Sequence, residues 1–283
     1  MTRAACERVV LDGAAGKIVG DRWEGTGRGS VVLLHGGGQT RHSWFRTAAV
    51  LAAAGWDALA VDARGHGDSD WAPDGDYGLT ALADDLDRVV QQLSEVPVLV
   101  GASMGGMTAM VGQGERGGLA RALVLVDIAP RMEPAGIRRI VEFMSANPDG
   151  FATLEEVADA VHAYNPHRRR PPTPDGLRKN VRLGADGRWR WHWDPAFLRI
   201  GDEPSRAAGA ERAQAAAARV RVPTLLVRGA ESDIVSDAGA AELLELIPGA
   251  QHVDVSATGH MVAGDDNDVF TRRVGEFLDG LPA

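Results

Sequence analysis

Apolar and polar positions along this chain fall into blocks. Short β-branched runs are separated by stretches with helical spacing. Ser30–His35 (SVVLLH), Trp56–Asp62 (WDALAVD), Val96–Gly101 (VPVLVG) and Ala122–Asp127 (ALVLVD) each read as a buried strand. Thr80–Leu93 places apolar residues at helical intervals, with Asp84, Asp85 and Asp87 on the polar side. Near-continuous apolar strands alternating with helices predict a parallel sheet covered on both faces. Arg8–Leu11 and Ile18–Trp23 precede this set as an antiparallel entry hairpin. The rhythm stops after Pro130. Residues 131–219 are rich in Arg, Pro and Trp, with a short helical pattern at Glu155–Ala163, a connector at 168–174 (RRRPPTP) and an alanine-rich helix at Ala207–Arg219. Strand and helix then resume with Val222–Val227, Ala238–Leu246, His252–Val255 and a closing helix at Val269–Leu278. The pattern predicts an α/β core of residues 1–130 and 220–283, with 131–219 inserted.

Composition narrows the class. A chain of 283 residues, 45% apolar, is able to bury a sizeable core. A net charge of −9 argues against nucleic acid or an anionic membrane as the main partner. No run approaches the ~20 apolar residues of a membrane span, and MTRAACERVVLDG holds no apolar segment of signal-peptide length. A cytoplasmic protein, monomeric or homodimeric, is the expectation. The single cysteine, Cys6, excludes an internal disulfide, and no Cys/His spacing points to a structural zinc.

Candidate chemistry sits at the ends of the predicted strands. Residues 101–106 read GASMGG, which fits G-x-S-x-G with Ser103 at its centre, between a buried strand and a small-residue helix. A hydroxyl attacks only when a base takes its proton. His260, in the Gly-containing loop after the last strand, is the favoured base; His35, His66 and His252 are rivals. A carboxylate must hold that histidine and stabilise its cation. Asp233, in RGAESD after the strand VPTLLV, is favoured over Asp127 and Glu231. A tetrahedral oxyanion needs backbone N–H donors. Met104 opens the helix after Ser103, and Gly37 lies in the triple glycine after SVVLLH. No Lys-Ser/Thr follows those glycines and no G-x-G-x-x-G opens a helix, so a nucleotide site is disfavoured.

LLHGGG, DARGHGDS (62–69), GASMGG and the pair RGAESD with TGH together resemble the α/β-hydrolase superfamily, over residues 18–130 and 220–280. The resemblance implies a mostly parallel eight-stranded sheet, helices on both faces, and a mainly helical lid, matching 131–219. It implies a triad of Ser103, Asp233 and His260, with an oxyanion hole at Gly37 and Met104. It makes DARGHGDS a structural turn, which lowers His66 as a catalytic candidate. The expected activity is hydrolysis of a small or medium ester, lactone or related acyl substrate, with no metal or organic cofactor. Carbon–carbon hydrolases, hydroxynitrile lyases and cofactor-free haloperoxidases use the same serine and stay open. So does a non-catalytic small-molecule binder on the same fold. Substrate candidates are Gly38, Arg41, His42 and the indoles of GRWRWHWDP, namely Trp189, Trp191 and Trp193. Each indole is equally read as packing the lid, Arg168–Arg170 as a solvated loop, and Trp44 as packing near the glycine loop.

Overall fold

A computed structural model describes residues 6–166, 173–199, 203–256 and 268–282, with the side chains of 203–207 set aside. The strands are β1 (Cys6–Asp12), β2 (Lys17–Trp23), β3 (Ser30–Leu34), β4 (Asp57–Val61), β5 (Val98–Ala102), β6 (Ala122–Val126), β7 (Val181–Leu183), β8 (Trp189–Trp191), β9 (Thr224–Gly229) and β10 (Gln251–Val255). The helices are α1 (Phe45–Ala53), α2 (Leu79–Gln91), α3 (Met104–Arg116), α4 (Pro134–Ser145), α5 (Leu154–Tyr164), α6 (Glu203–Ala217), α7 (Asp237–Leu246) and α8 (Asp268–Asp279).

Eight strands form one sheet in the order β1-β2-β4-β3-β5-β6-β9-β10. β1 pairs antiparallel with β2, and β2 antiparallel with β4, while the remaining neighbours run parallel. The central strands VLVGA and ALVLV are buried at every position, as a sheet covered on both faces requires. One face packs Leu99, Leu123, Leu125 and Leu226 against residues of α2, α3, α6 and α7, among them Met110 and Leu243. The other packs Val98, Val100, Val124 and Val227 with Leu51 of α1 and Phe270 of α8. Trp44, expected to pack near the glycine loop, is fully buried in the core against Phe270. No helix among the described residues is long and apolar enough to cross a membrane.

The insertion is of two kinds. Residues 134–199 carry α4, α5 and a small hairpin, β7–β8, with a core of their own built on Phe151, Leu154, Val157 and Val181. This is the cap. Helix α6 instead joins the core layer: Ala213, Ala216 and Ala217 are buried with the α3 residues. Gly114 of α3 lies so close to the Ala216 carbonyl that a side chain there has no space. The expected lid boundary at 219 therefore falls beyond a helix that packs with the sheet domain.

Candidate active site

Strand β5 ends in a forced turn. Ser103 has φ 47° and ψ −115°, and caps α3 without a side-chain hydrogen bond. For a non-glycine residue such a conformation costs ~1–3 kcal/mol and persists only where the surroundings impose it. The surroundings are glycines. A Cβ at Gly101 would lie 2.5 Å from the Gly105 carbonyl carbon, and one at Gly105 would collide with the Leu34 carbonyl oxygen. The strand, the turn and the helix pack backbone to backbone, which pushes the Ser103 side chain to the strand end beside Gly36.

Among the described non-glycine residues, only Ser103 and Asp127 have positive φ, both at 47°. They stand next to each other at the ends of β5 and β6, and the Ser103 N–H donates to the Val126 carbonyl at 3.0 Å. Asp127 is fully buried. Its Oδ1 accepts from the Gly229 N–H at 3.1 Å, and its Oδ2 accepts from the Ser232 hydroxyl at 2.6 Å. Ser232 in turn accepts from the N–H groups of Ile234 and Val235, both at 3.1 Å. In the loop after β9 it is thus Ser232 that faces Asp127. Its neighbour Asp233 turns outward, 37% exposed, and pairs with Arg139 of α4 at 2.9 Å. The carboxylate favoured from sequence is engaged in holding the cap helix, and its rival lies at the strand end beside the serine. His260 lies outside the described residues, as do Arg168–Arg170. His252 is on β10, 3.1 Å from Asp254.

The triple-glycine loop is held almost completely. The Gly36 N–H donates to Gln39 Oε1 at 3.1 Å, the Gln39 N–H to the Gly36 carbonyl at 3.1 Å, and the Gly38 N–H to His66 Nε2 at 3.1 Å. The N–H groups of Gly37 and Met104 have no such partner among the described residues. His35 and His66 are buried and neutral. Burial pushes the His35 imidazole down to about 4 and that of His66 to about 3, the latter further lowered by His35 beside it. Both therefore serve as fixed hydrogen-bonding posts. His35 Nδ1 donates to the Gly36 carbonyl at 2.8 Å, and its Nε2 accepts from the Ala63 N–H at 2.9 Å.

The substrate candidates separate. Arg41 is buried among Asp62, Asp68 at 3.0 Å and Asp21 at 3.1 Å, clamping the loop after β3 to the turn after β4. It is a structural cation, and the sequence reading of it as a pocket residue does not match its surroundings. His42 is half-buried and faces the same Asp21 at 3.7 Å; burial and Arg41 lower its pKa. Trp189 carries Arg178 over its ring at 5.1 Å and packs the cap's own core. Trp191 stacks on Trp193 at 4.9 Å and 12°. Trp193 and Met144 converge on Gly38, which has φ 72°. Phe197 approaches Gly37, its ring edge 3.4 Å from where a side chain would begin. Met144 and Phe197 escaped the sequence reading because an isolated apolar residue in a Pro- and Arg-rich stretch carries no periodic signal.

The family model for the alpha/beta hydrolase fold matches residues 29–266. The chain belongs to the α/β-hydrolase fold family. Within that family it is 32% identical to the esterase Rv0045c of Mycobacterium tuberculosis, across 94% of this chain and 87% of that protein. It is 31% identical to the sn-1-specific diacylglycerol lipase ABHD11 of Mus musculus, across 88% and 80%. The solved structure of Rv0045c superposes with a TM-score of 0.76 at 29% identity, covering 97% of this chain and 92% of that one. That of E-2-(acetamidomethylene)succinate hydrolase superposes with 0.83 at 23% identity, covering 98% and 100%, a likeness of fold.

Proposed function

We propose that this α/β-hydrolase is a serine esterase acting on a small or medium ester, lactone or related acyl substrate, with Ser103 as nucleophile. The observation that carries this reading is the pair of strained residues, Ser103 and Asp127, on adjacent strand ends. Strain of that kind is kept where it positions a reacting group. The esterase and lipase names of the two similar proteins support the bond type. Gly37 and Met104 supply the oxyanion donors, since theirs are the N–H groups left over beside the serine, and Met104 sits at the positive end of α3.

In this reading His260, which follows β10 in the sequence, takes the Ser103 proton as Oγ attacks the carbonyl carbon. The oxyanion settles between Gly37 and Met104. His260 returns the proton to the departing alcohol, activates water, and the acid is released. The carboxylate behind His260 is Asp127, replacing the Asp233 expected from sequence, because Asp127 is buried and fixed at the strand end while Asp233 is paired with Arg139. The apolar groups of Trp193, Phe197 and Met144 beside the oxyanion loop suit an apolar acyl or alcohol portion.

Fluorophosphonate labelling tests the nucleophile: the label should map to Ser103 and vanish in Ser103→Ala, and undiminished labelling of that variant refutes the assignment. For the acid, Asp127→Asn should lower kcat by ~10³–10⁴ on a p-nitrophenyl ester. Asp233→Asn should stay within threefold. The reverse ranking would restore Asp233.

A further inference from the structure

We propose that His192, on the cap, is a positioning residue for the oxyanion hole: it orients the Gly37 N–H from outside the sheet domain and makes a docked cap part of the catalytic apparatus. This rests on the serine-hydrolase reading and extends it to a residue with no contact to the reacting atoms.

His192 separates Trp191 and Trp193 in the sequence, meets the Trp193 ring edge-on at 5.3 Å, and is 1% exposed. Its Nδ1 accepts from the Gly67 N–H at 2.8 Å, in the turn after β4. Nδ1 is thus unprotonated, and the ring proton sits on Nε2, which donates to the Gly38 carbonyl at 3.3 Å. Burial, with His66 and His35 nearby, holds its pKa well below the usual histidine range and so preserves this neutral tautomer.

The Gly38 carbonyl belongs to the same rigid peptide unit as the Gln39 N–H. That N–H donates to the Gly36 carbonyl. The Gly36 carbonyl belongs in turn to the same plane as the Gly37 N–H. Two hydrogen bonds and two peptide planes therefore connect the cap imidazole to the amide left over beside Ser103. A run of three glycines has little resistance of its own to peptide rotation. From the sheet side His35 holds the Gly36 carbonyl and His66 the Gly38 N–H; His192 adds the hold from the cap side, on the Gly38 carbonyl.

The rest of the cap's contact with this region keeps His192 in place. The Asp194 N–H donates to the Gly65 carbonyl at 2.8 Å, Arg182 donates to the Gly67 carbonyl at 2.6 Å, and Phe197 meets the His66 ring edge-on at 4.7 Å. The cap is fastened to the RGHG turn and, by His192, to the oxyanion loop.

The test separates the two ring nitrogens. H192Q keeps a donor near the Nε2 position and loses the Nδ1 acceptor. H192M has similar length and neither group. H192N keeps an acceptor toward Gly67 and loses reach to Gly38. Each is assayed for kcat and KM on a p-nitrophenyl ester, for the rate of fluorophosphonate labelling at Ser103, and for Tm. H192M and H192N should lose about tenfold in kcat and in labelling rate, with KM within twofold, while H192Q stays within threefold of the parent. If H192M does not fold, H192N alone provides the donor-less arm. Loss of Tm with unchanged kcat in the donor-less variants overturns the proposal and leaves His192 a packing residue. So does an equal loss in H192Q. A parent protein not labelled at Ser103 refutes the serine reading itself, and the positioning role with it.

Discussion

The two buried imidazoles that flank the glycine loop after β3 make stability depend on pH in a calculable way. His35 and His66 are held neutral in the fold, with pKa values of about 4 and about 3, against 6.5 for an exposed histidine. The unfolded chain therefore binds protons below pH 6.5 that the folded chain refuses. Stability is full above that pH and falls as pH drops toward the folded values. From 6.5 to 5.0 each site shifts the balance by about 1.4 kcal/mol per pH unit, so ~2 kcal/mol per histidine and ~4 kcal/mol for the pair. Carboxylates and His192 also contribute to any measured acid sensitivity, so a difference between proteins is more informative than one curve. His66→Gln removes one imidazole and leaves an amide oxygen able to accept from the Gly38 N–H. Urea unfolding of both proteins at pH 7.5 and 5.0, followed by tryptophan fluorescence and far-UV circular dichroism, gives the comparison. The variant should lose ~2 kcal/mol less than the parent across that interval. Parallel losses, within ~0.5 kcal/mol, would refute the reasoning, because His66 would then titrate alike in both states.

Other substitutions follow from the same surroundings. Arg41→Met should cost ~3–5 kcal/mol in urea unfolding, because it strands Asp62 and Asp21 in a buried site without their cation. Gly101→Ala forces a methyl against the Gly105 backbone and should cost ~3 kcal/mol or more, together with most of the kcat. Arg139→Gln breaks a half-exposed pair with Asp233 and should change stability by less than ~1 kcal/mol, with kcat within twofold.

The sheet was legible because its strands are apolar on both faces. VVLL, ALAV, VLVGA and ALVLV contain few residues suited to anything else, and each sits within a residue or two of its predicted span. The turn at Ser103 was legible for a related reason: a glycine frame around one hydroxyl, after a buried strand, marks a sharp strand-to-helix turn. Which carboxylate lies beside it was not. Asp127 and Asp233 both follow a core strand at short distance, and spacing says nothing about which way a loop residue turns. That choice depends on Ser232, whose hydroxyl ties down the loop and faces inward, leaving Asp233 to meet Arg139. His192 was hidden by its neighbours. In WRWHW the indoles dominate any reading, and the role of the imidazole depends on Gly38 and Gly67, more than a hundred residues earlier. Arg41 misled because it closely follows the glycine loop in the sequence, and only the fold brings Asp21, Asp62 and Asp68 around it.

The place of α6 bears on how this enzyme is modified by design. Its alanine face is pressed against α3 so tightly that Gly114 has no space for a side chain. A graft that replaced everything from 131 to 219 would remove part of the sheet domain's outer layer and expose the face of α3 beneath it. The exchangeable cassette is shorter and ends before Glu203. On the positioning role proposed for His192, a donor cassette must bring its own hydrogen-bond donor for the Gly38 carbonyl, so new specificity and the placement of the glycine loop have to be selected together.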